Sequence, residues 1–351
     1  MNETVTPVLA KLVRGDDLTA AEIEAALSQI LEGEVSDVQA AGFAVALRTK
    51  GETVGELAAL VRTMLRYSTR VEVAPGAIDT CGTGGDRAGT VNVSTMAALI
   101  AAGAGARVVK HGNRAASSQC GSADVLEALG VQIELGPKGV ARCVEEAGIG
   151  FCFAPRYHPA LRFLGPARRE LGVPTTFNFL GPLANPAGVR RQCVGVSDAA
   201  MAERVLGVLA ENGAERAFVF FGDDGLDELT TTTTSTVYEY AAGEGTRVFT
   251  VDPAAVGLAL VAPEALAGGD APANAETVRA VLSGEKGPAR DVAVLNAAAA
   301  LVVAGVAGDL PGGVEAACAS IDGGKAAAAL DALVNVSSDE RDAEARAGEG
   351  A

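Results

Sequence analysis

The sequence predicts an α/β protein, with a small all-helical N-terminal lobe and a larger lobe whose mostly parallel central sheet is flanked by helices. Three observations carry that class. The first 70 or so residues show helical apolar spacing and no strand-type alternation. From residue 76 onward, short apolar runs alternate with helical stretches, the rhythm of a parallel sheet wrapped by helices. The chain has 351 residues, 49% of them hydrophobic and 21% charged, enough for two lobes and a large core.

In chain order, Thr19 with Glu22, Ser36 with Gln39 and Thr53 with Glu56 form three capping boxes within residues 1–72. Each opens helical apolar spacing, such as Ile23, Ala26, Leu27, Ile30 and Leu31. AIDT reads as the first strand, followed by the glycine loop CGTGGD, a buried helix over 93–105 and a second strand RVVK. Ser122 is expected to cap the helix SADVLEAL, with Asp124 in its first turn. VQIEL is expected to be the next strand, followed by a helix from Pro137 to Gly148 and the strand GFCFAP. Residues 158–186 break the rhythm: HPALRFLGPARREL reads as helical and TTFNFLGPLANP as a Pro- and Gly-rich loop. RQCVGVS, a helix over 199–210, RAFVFFG, the threonine-rich GLDELTTTTTSTVYEY and GTRVFTV resume the α/β pattern. Helices are expected at 274–283, 289–305 and 313–334. The α/β lobe thus takes 73–157 and 187–336, and the polar, charged residues 337–351 read as a disordered tail.

The formal net charge is −16 and the pI about 4.6. That balance argues against a nucleic-acid partner, which a basic face would serve. No apolar run is long enough to span a membrane, and the N-terminus lacks a signal-peptide pattern, so a cytoplasmic location is expected. The six cysteines are scattered without CxxC spacing, which indicates neither zinc nor disulfides.

Chemistry concentrates between residues 79 and 122. Gly82, Gly84 and Gly85 fall within four residues, just before Asp86, and free backbone N–H groups to point at one anion. Asn92, Ser94 and Thr95 lie around the N-terminus of the following helix, where partial positive charge gathers. KHGNR then brings Lys110, His111, Asn113 and Arg114 to one place. Two glycine-containing loops at neighbouring strand ends, one of them cationic, point to a phosphate-rich ligand. Neither GxGxxG nor GxxxxGK[ST] is present. An acidic chain that takes such a ligand needs local positive potential, from N–H groups, Lys110, Arg114 and divalent cations.

The segments GTGGD, NVST, KHGNRAASSQCGSADVLEALG, RYHPALRFLGPARRELGVPTTFNFLGPLANP and GLDELTTTTTSTVYE, in that order from about residue 79 to 240, resemble the anthranilate phosphoribosyltransferases of tryptophan biosynthesis. The resemblance implies a fold of the nucleoside phosphorylase/phosphoribosyltransferase type, with 158–186 packed against the helical lobe and a homodimer formed through that lobe. It implies transfer of the phosphoribosyl group of 5-phosphoribosyl 1-pyrophosphate to the amine of anthranilate, giving N-(5-phosphoribosyl)anthranilate and pyrophosphate. For the phosphorylated substrate it assigns Gly82, Gly84, Gly85, Asp86, Thr90, Asn92, Val93, Ser94, Thr95, Lys110, Gly112, Asn113, Arg114, Ala115, Ala116, Ser117, Ser118 and Ser122, with Lys110 and Asp86 acting electrostatically. For anthranilate it assigns Gly82, His111, Asn113, Tyr157, His158 and Arg168, whose planar fork suits a carboxylate. Ser94 and the acids Asp227 and Glu228, read as an exposed pair, are implied to hold Mg²⁺, two ions per monomer. No general acid or base is assigned. A pyrimidine nucleoside phosphorylase shares KHGNR but not HPALR or FNFLGPLANP; a non-catalytic relative that binds nucleic acid is the third reading. Many relatives carry a basic residue where this chain has Pro174.

Overall fold

The structure, a computed structural model, describes residues 2–86, 88–115 and 119–349. Four helices come first: α1 (Val5–Val13), α2 (Ala20–Leu31), α3 (Asp37–Lys50) and α4 (Val54–Arg66). All three capping boxes close. Thr19 Oγ1 accepts from the Glu22 amide at 3.3 Å while Glu22 accepts from the Thr19 amide at 2.9 Å. Ser36 with Gln39 and Thr53 with Glu56 repeat the pattern on α3 and α4. Each box satisfies amides that a helix start leaves without partners.

The strands are β1 (Ile78–Gly82), β2 (Val108–Gly112), β3 (Ile149–Phe153), β4 (Arg191–Gly195), β5 (Arg216–Gly222), β6 (Ser235–Ala241) and β7 (Gly245–Val251). They form one sheet in the order β3-β2-β1-β4-β5-β6-β7. The first five run parallel, and β6 and β7 add an antiparallel edge. From β1 the chain moves outward to β2 and β3, then returns to lay β4 on the other side of β1. That reversal opens a crevice beyond the carboxyl ends of β1 and β4, where open α/β sheets bind ligands.

Between and after the strands run α5 (Val93–Gly103), α6 (Ser122–Ala128), α7 (Pro137–Ala147), α8 (Ala154–Tyr157), α9 (Gly165–Leu171), α10 (Phe177–Leu180), α11 (Ala199–Glu211), α12 (Ala271–Leu282), α13 (Pro288–Ala304), α14 (Leu310–Asp322) and α15 (Lys325–Glu349). Strand alternation divides the core in two: Phe218 and Phe220 face one side of β5, Ala217 and Val219 the other. One side is packed by α5, α7 and α12 to α15. The other is packed by α11, by the four N-terminal helices and by Leu164, Ala167, Phe177, Leu180 and Leu183 of the 158–186 segment, all in one apolar cluster. Among the described residues no helix is long and apolar enough to cross a membrane.

Four local expectations need correction. VQIEL is extended but joins no strand. Val131, Ile133 and Leu135 are buried, yet the Gln132 amide goes to Ser337 Oγ and the Leu135 carbonyl to the Tyr157 hydroxyl, so side chains satisfy the backbone in place of a strand. The stretch from 313 to 334 is not one helix, because Gly323 and Gly324 (φ +71°) separate α14 from α15. HPALRFLGPARREL breaks into a 3-10 turn over Pro159–Leu164 and α9, as Pro159, Gly165 and Pro166 dictate. The tail is helical to Glu349 rather than disordered. Glu340 pairs with Arg142 at 2.5 Å, and Glu344 pairs with Arg156 and accepts the Gly136 amide, so α15 is held along α7 beyond its last buried apolar residue, Val336.

Candidate active site

The crevice is built from glycines. Gly84 and Gly85 adopt φ of +71° and +93°, which favours glycine, and turn the chain at the end of β1. Asp227 lies across the ends of β1 and β4. A Cβ at Gly195 would stand 1.7 Å from the Asp227 carbonyl oxygen, and one at Gly82 would stand 2.2 Å from Asp227 Oδ2. The Gly84 amide donates to that same Oδ2 at 2.6 Å. Gly195→Ala therefore cannot be absorbed without moving the Asp227 backbone. We expect it to lower kcat/KM by roughly 10²-fold, the cost of an ångström-scale misplacement, with the loss read in steady-state kinetics on a variant that retains its far-UV spectrum.

The second wall is cationic. Lys110, 2% exposed, stands in the middle of β2 with its Nζ donating to the Thr80 carbonyl at 2.7 Å and to Ser94 Oγ at 3.2 Å. Asn92 starts α5; its Nδ2 donates to the Cys120 carbonyl and its Oδ1 accepts from Asn274 Nδ2 at 2.8 Å. Val93 and Thr95 follow, both buried, and Thr95 Oγ1 has no hydrogen-bond partner. Thr90 bridges to Ala267. Gly112 lies against Ser122, whose Oγ would meet a Cβ there at 2.2 Å. Ser122 does not cap α6 as expected; Gly121 precedes it as the cap residue, and Asp124 Oδ2 accepts both the Gly121 and the Ala115 amides at 2.9 Å. Asn113 accepts from Ser122 Oγ through its carbonyl. Arg114 is turned outward, paired with Asp124 and Glu127. Ala116, Ser117 and Ser118 lie outside the described residues.

The acids are not exposed. Asp227 and Glu228 are each 8% exposed, since the loop that carries them folds back over the sheet. Burial first, and then the neighbouring Asp86, raises Asp227 to about 7. Burial and Asp227 push Glu228 well above the carboxylate range, against the pull of Lys110. Three carboxylates thus face one buried ammonium. Among the described residues no three His, Cys, Asp or Glu side chains gather as a complete metal cage. An oxygen-only set with too little positive charge fits Mg²⁺, which keeps waters and substrate phosphates as ligands.

The residues assigned to anthranilate divide. Tyr157 is fully buried with its hydroxyl on Leu135, so it supports the wall from inside the core and does not reach a ligand. Nδ1 of His111 faces the Gly181 carbonyl at 3.1 Å, and Nε2 of His158 faces that of Ala184 at 2.9 Å, with the rings 5.1 Å apart. Burial lowers them to about 3 and about 4, so both are neutral at neutral pH. Each gives its proton to a carbonyl, which leaves His111 Nε2, buried and unpartnered, as an acceptor. Arg168 on α9 is half-buried and desolvated, and its guanidinium is engaged by no hydrogen bond or ion pair among the described residues. Pro174 is exposed.

Sequence reasoning passed over three residues. Asp79 is fully buried on β1, accepting the His111 amide at 3.2 Å and Asn185 Nδ2 at 2.8 Å, and burial raises it to about 6 despite Lys110. Asn185 also donates to the Val109 carbonyl, tying the 158–186 segment to β2. A charged residue inside the apolar run AIDTC was the available signal for Asp79. Gly195 had none, because its neighbour is 32 residues away in the chain.

Residues 74–327 match a family profile described as the glycosyl transferase family, a/b domain, and residues 6–68 match the helical bundle domain of the same family. An anthranilate phosphoribosyltransferase of Chloroflexus aggregans is 51% identical over 337 residues, covering 96% of this chain and 99% of its own. Among solved structures, the anthranilate phosphoribosyltransferase of Thermus thermophilus superposes with a TM-score of 0.89 at 42% identity, covering 94% of this chain and 98% of its own. That of Saccharomyces cerevisiae, in complex with PRPP (phosphoribosyl pyrophosphate) and Mg, gives a TM-score of 0.89 at 26% identity, covering 97% and 99%.

Proposed function

The chain belongs to the anthranilate phosphoribosyltransferases of the glycosyl transferase family, and from that premise we propose how its own residues perform the reaction. The enzyme transfers the phosphoribosyl group of 5-phosphoribosyl 1-pyrophosphate to anthranilate in tryptophan biosynthesis. As pyrophosphate leaves, ribose carbon 1 gains oxocarbenium character, and the barrier falls when the departing charge meets fixed positive groups and the amine is held in line. One observation carries the assignment of parts: the glycine turn of β1, the buried Lys110 and the acids Asp227 and Glu228 converge where β1 and β4 end. The Gly84 and Gly85 loop and the α5 N-terminus, with Ser94 and Thr95, offer donors to the pyrophosphate. Lys110 supplies an ammonium already desolvated, so little reorganisation is needed when charge develops. Asp227, Glu228 and the Ser94 hydroxyl would hold Mg²⁺, which supplies charge neutralisation at the pyrophosphate. Anthranilate sits between Arg168 and His111: the guanidinium takes its carboxylate, and His111 Nε2 accepts from its amine. The yeast complex supports Mg²⁺ use; two ions per monomer is our reading from the two sides of the site, Ser94 and the acid pair.

The deciding experiment follows the loss of anthranilate fluorescence with 5-phosphoribosyl 1-pyrophosphate and Mg²⁺. One-to-one consumption of both substrates is expected. No consumption by folded protein would overturn the reading, and phosphorolysis of a pyrimidine nucleoside would replace it. Arg168→Ala should raise the KM for anthranilate about 10- to 150-fold, the value of a charge-assisted contact worth about 1.5–3 kcal/mol. The KM for the phosphorylated substrate should stay within a factor of about three, and the reverse pattern would move Arg168 to the other subsite.

We infer a homodimer through the helical lobe. Val38 and Val45 lie two turns apart on α3, and Val13 ends α1; all three are exposed, Val13 and Val38 at 80%. Apolar side chains so placed call for a covering surface. Sedimentation should give twice the chain mass at micromolar concentration, and a monomer would remove the inference. The chain is read as cytoplasmic because Cys81, Cys143, Cys152, Cys193 and Cys318 are thiols, four of them buried.

A further inference from the structure

Helix α13 is buried without a break from Val292 to Val303, and its sequence shows why: VAVLNAAAALVVA carries apolar side chains on every face. Asn296 is the exception, 1% exposed in the middle of that run. A buried amide in such surroundings costs free energy unless its groups are hydrogen-bonded. Here they are bonded in a specific way. Asn296 Oδ1 accepts from the Leu229 amide at 3.0 Å, and Nδ2 donates to the Leu229 carbonyl at 2.8 Å, with a further bond to the Val292 carbonyl of its own helix at 2.9 Å. One side chain thus copies the pairing that a neighbouring strand would give, and applies it to a single residue of a loop. That residue directly follows Asp227 and Glu228.

Most other ties of this loop run within the loop itself, with Asp224 accepting from the Thr230 and Thr232 hydroxyls. Upstream of the acids, the Gly222 amide donates to the Leu226 carbonyl and Asp224 accepts the Leu226 amide. Downstream, the Thr230 amide goes to Ser235 Oγ. Leu229 is where the loop is fastened to a rigid helix, because its own side chain is also fully buried beneath it. The acids are therefore suspended between the glycine contacts on one side and the Asn296 clamp on the other.

We propose that Asn296 is a positioning residue that fixes the backbone of the acid pair, so that α13 sets how tightly the site binds its divalent cation. The proposal rests on the reading that Asp227 and Glu228 hold that cation. Partners that orient metal ligands typically carry about 10–100-fold in metal affinity. A residue serving only core stability would lower resistance to urea and leave the cation titration where it was.

The test uses Mn²⁺ as the probe, followed by electron paramagnetic resonance in the presence of phosphoribosyl pyrophosphate, alongside the Mg²⁺ concentration that gives half-maximal turnover. Asn296→Ala is expected to weaken both by about 10-fold or more, with turnover recovering toward the wild-type value as Mg²⁺ is raised. Asn296→Asp keeps the volume and the acceptor for the Leu229 amide but sets a carboxylate oxygen against the Leu229 carbonyl; it should shift the titration in the same direction, and it serves if the alanine variant fails to fold. Wild-type Mn²⁺ and Mg²⁺ curves in a folded Asn296 variant would overturn the proposal. Asp227→Asn with Glu228→Gln is run in parallel. If those substitutions leave the cation curves unchanged, it is the metal reading that fails; if they shift the curves and the Asn296 variants do not, only the clamp is lost.

Discussion

Replacing Asp227 by Asn and Glu228 by Gln together is expected to cost roughly 10²-fold or more in turnover while making the metal-free protein more resistant to urea above about pH 7. The amides keep the shape of the side chains but offer a divalent cation neutral oxygens in place of charged ones, so the catalytic loss follows from the proposed role. The gain in stability follows from burial. Folding places both carboxylates where the charged form is disfavoured, which raises Asp227 from an ordinary 3.8 to about 7 and Glu228 further. A carboxyl whose folded pKa lies above its unfolded value binds its proton more tightly in the native state. Native stability therefore falls as pH rises from about 4 through about 7. The double variant lacks this penalty, so its advantage should open across that range and close below it. Urea denaturation without Mg²⁺ at about pH 5, 7 and 8.5 measures the trend. A variant less stable than the wild type at every pH, with an unchanged Mg²⁺ curve, would return the pair to a purely structural role.

Lys110→Met should have the largest effect on the fold. The ammonium is 2% exposed and faces Asp79 on one side and Glu228 on the other. Methionine fills the space without charge, and leaves Asp79 buried with the Asn185 amide and the His111 and Thr80 N–H groups, all neutral, to favour its anion. The Lys110 Nζ bonds to the Thr80 carbonyl and Ser94 Oγ and forms no ion pair among the described residues, so its loss should cost less than the ~3–5 kcal/mol of a broken buried ion pair. The loss should shrink as pH falls, because Asp79 can then take a proton and end the imbalance. Asp79→Asn in the Lys110→Met background should recover part of the stability at neutral pH, and a double-mutant cycle isolates the coupling. Activity should not recover, since the cation opposite the pyrophosphate is still missing. A Lys110→Met protein with wild-type stability at about pH 8 would show that the ammonium is not what neutralises Asp79.

The parts of the fold legible in the sequence are those set by local rules. Capping boxes, the glycine turn after β1 and the alternation of strand and helix are read within a few residues of one another, and each forms as expected. The misreadings come from contacts between distant segments. VQIEL has strand composition, but Ser337 and Tyr157 take its backbone groups before a neighbouring strand can. Residues 337–349 have the composition of a tail, yet ion pairs to Arg142 and Arg156 hold them in a helix. In the site, residue types and motifs pointed to Lys110, Ser94 and Asp227, whereas their burial did not show. Asp227 and Glu228 sit in a polar-looking stretch, GLDELTTTTT, and only its packing over the neighbouring ends of β1 and β4 reveals that the pair is enclosed. Tyr157 illustrates the converse, since a segment that contributes to a ligand site also needs residues that face away from it.

The packing between the lobes governs how this chain comes apart. The apolar cluster of the four N-terminal helices does not end at the lobe boundary; it runs on through α11 into Cys81, Val194, Val196, Ala217 and Val219 of the sheet. Two segments that look like separable modules therefore share a single oil-filled interior. Removing residues 1–72 would bare the outer apolar side of α11 and of the 158–186 segment, which themselves cover this face of the sheet, and the remainder should aggregate. Heating should produce one calorimetric peak, with the lobes melting together. A movement of one lobe on the other that keeps this interior closed is a slide of α11 over α4.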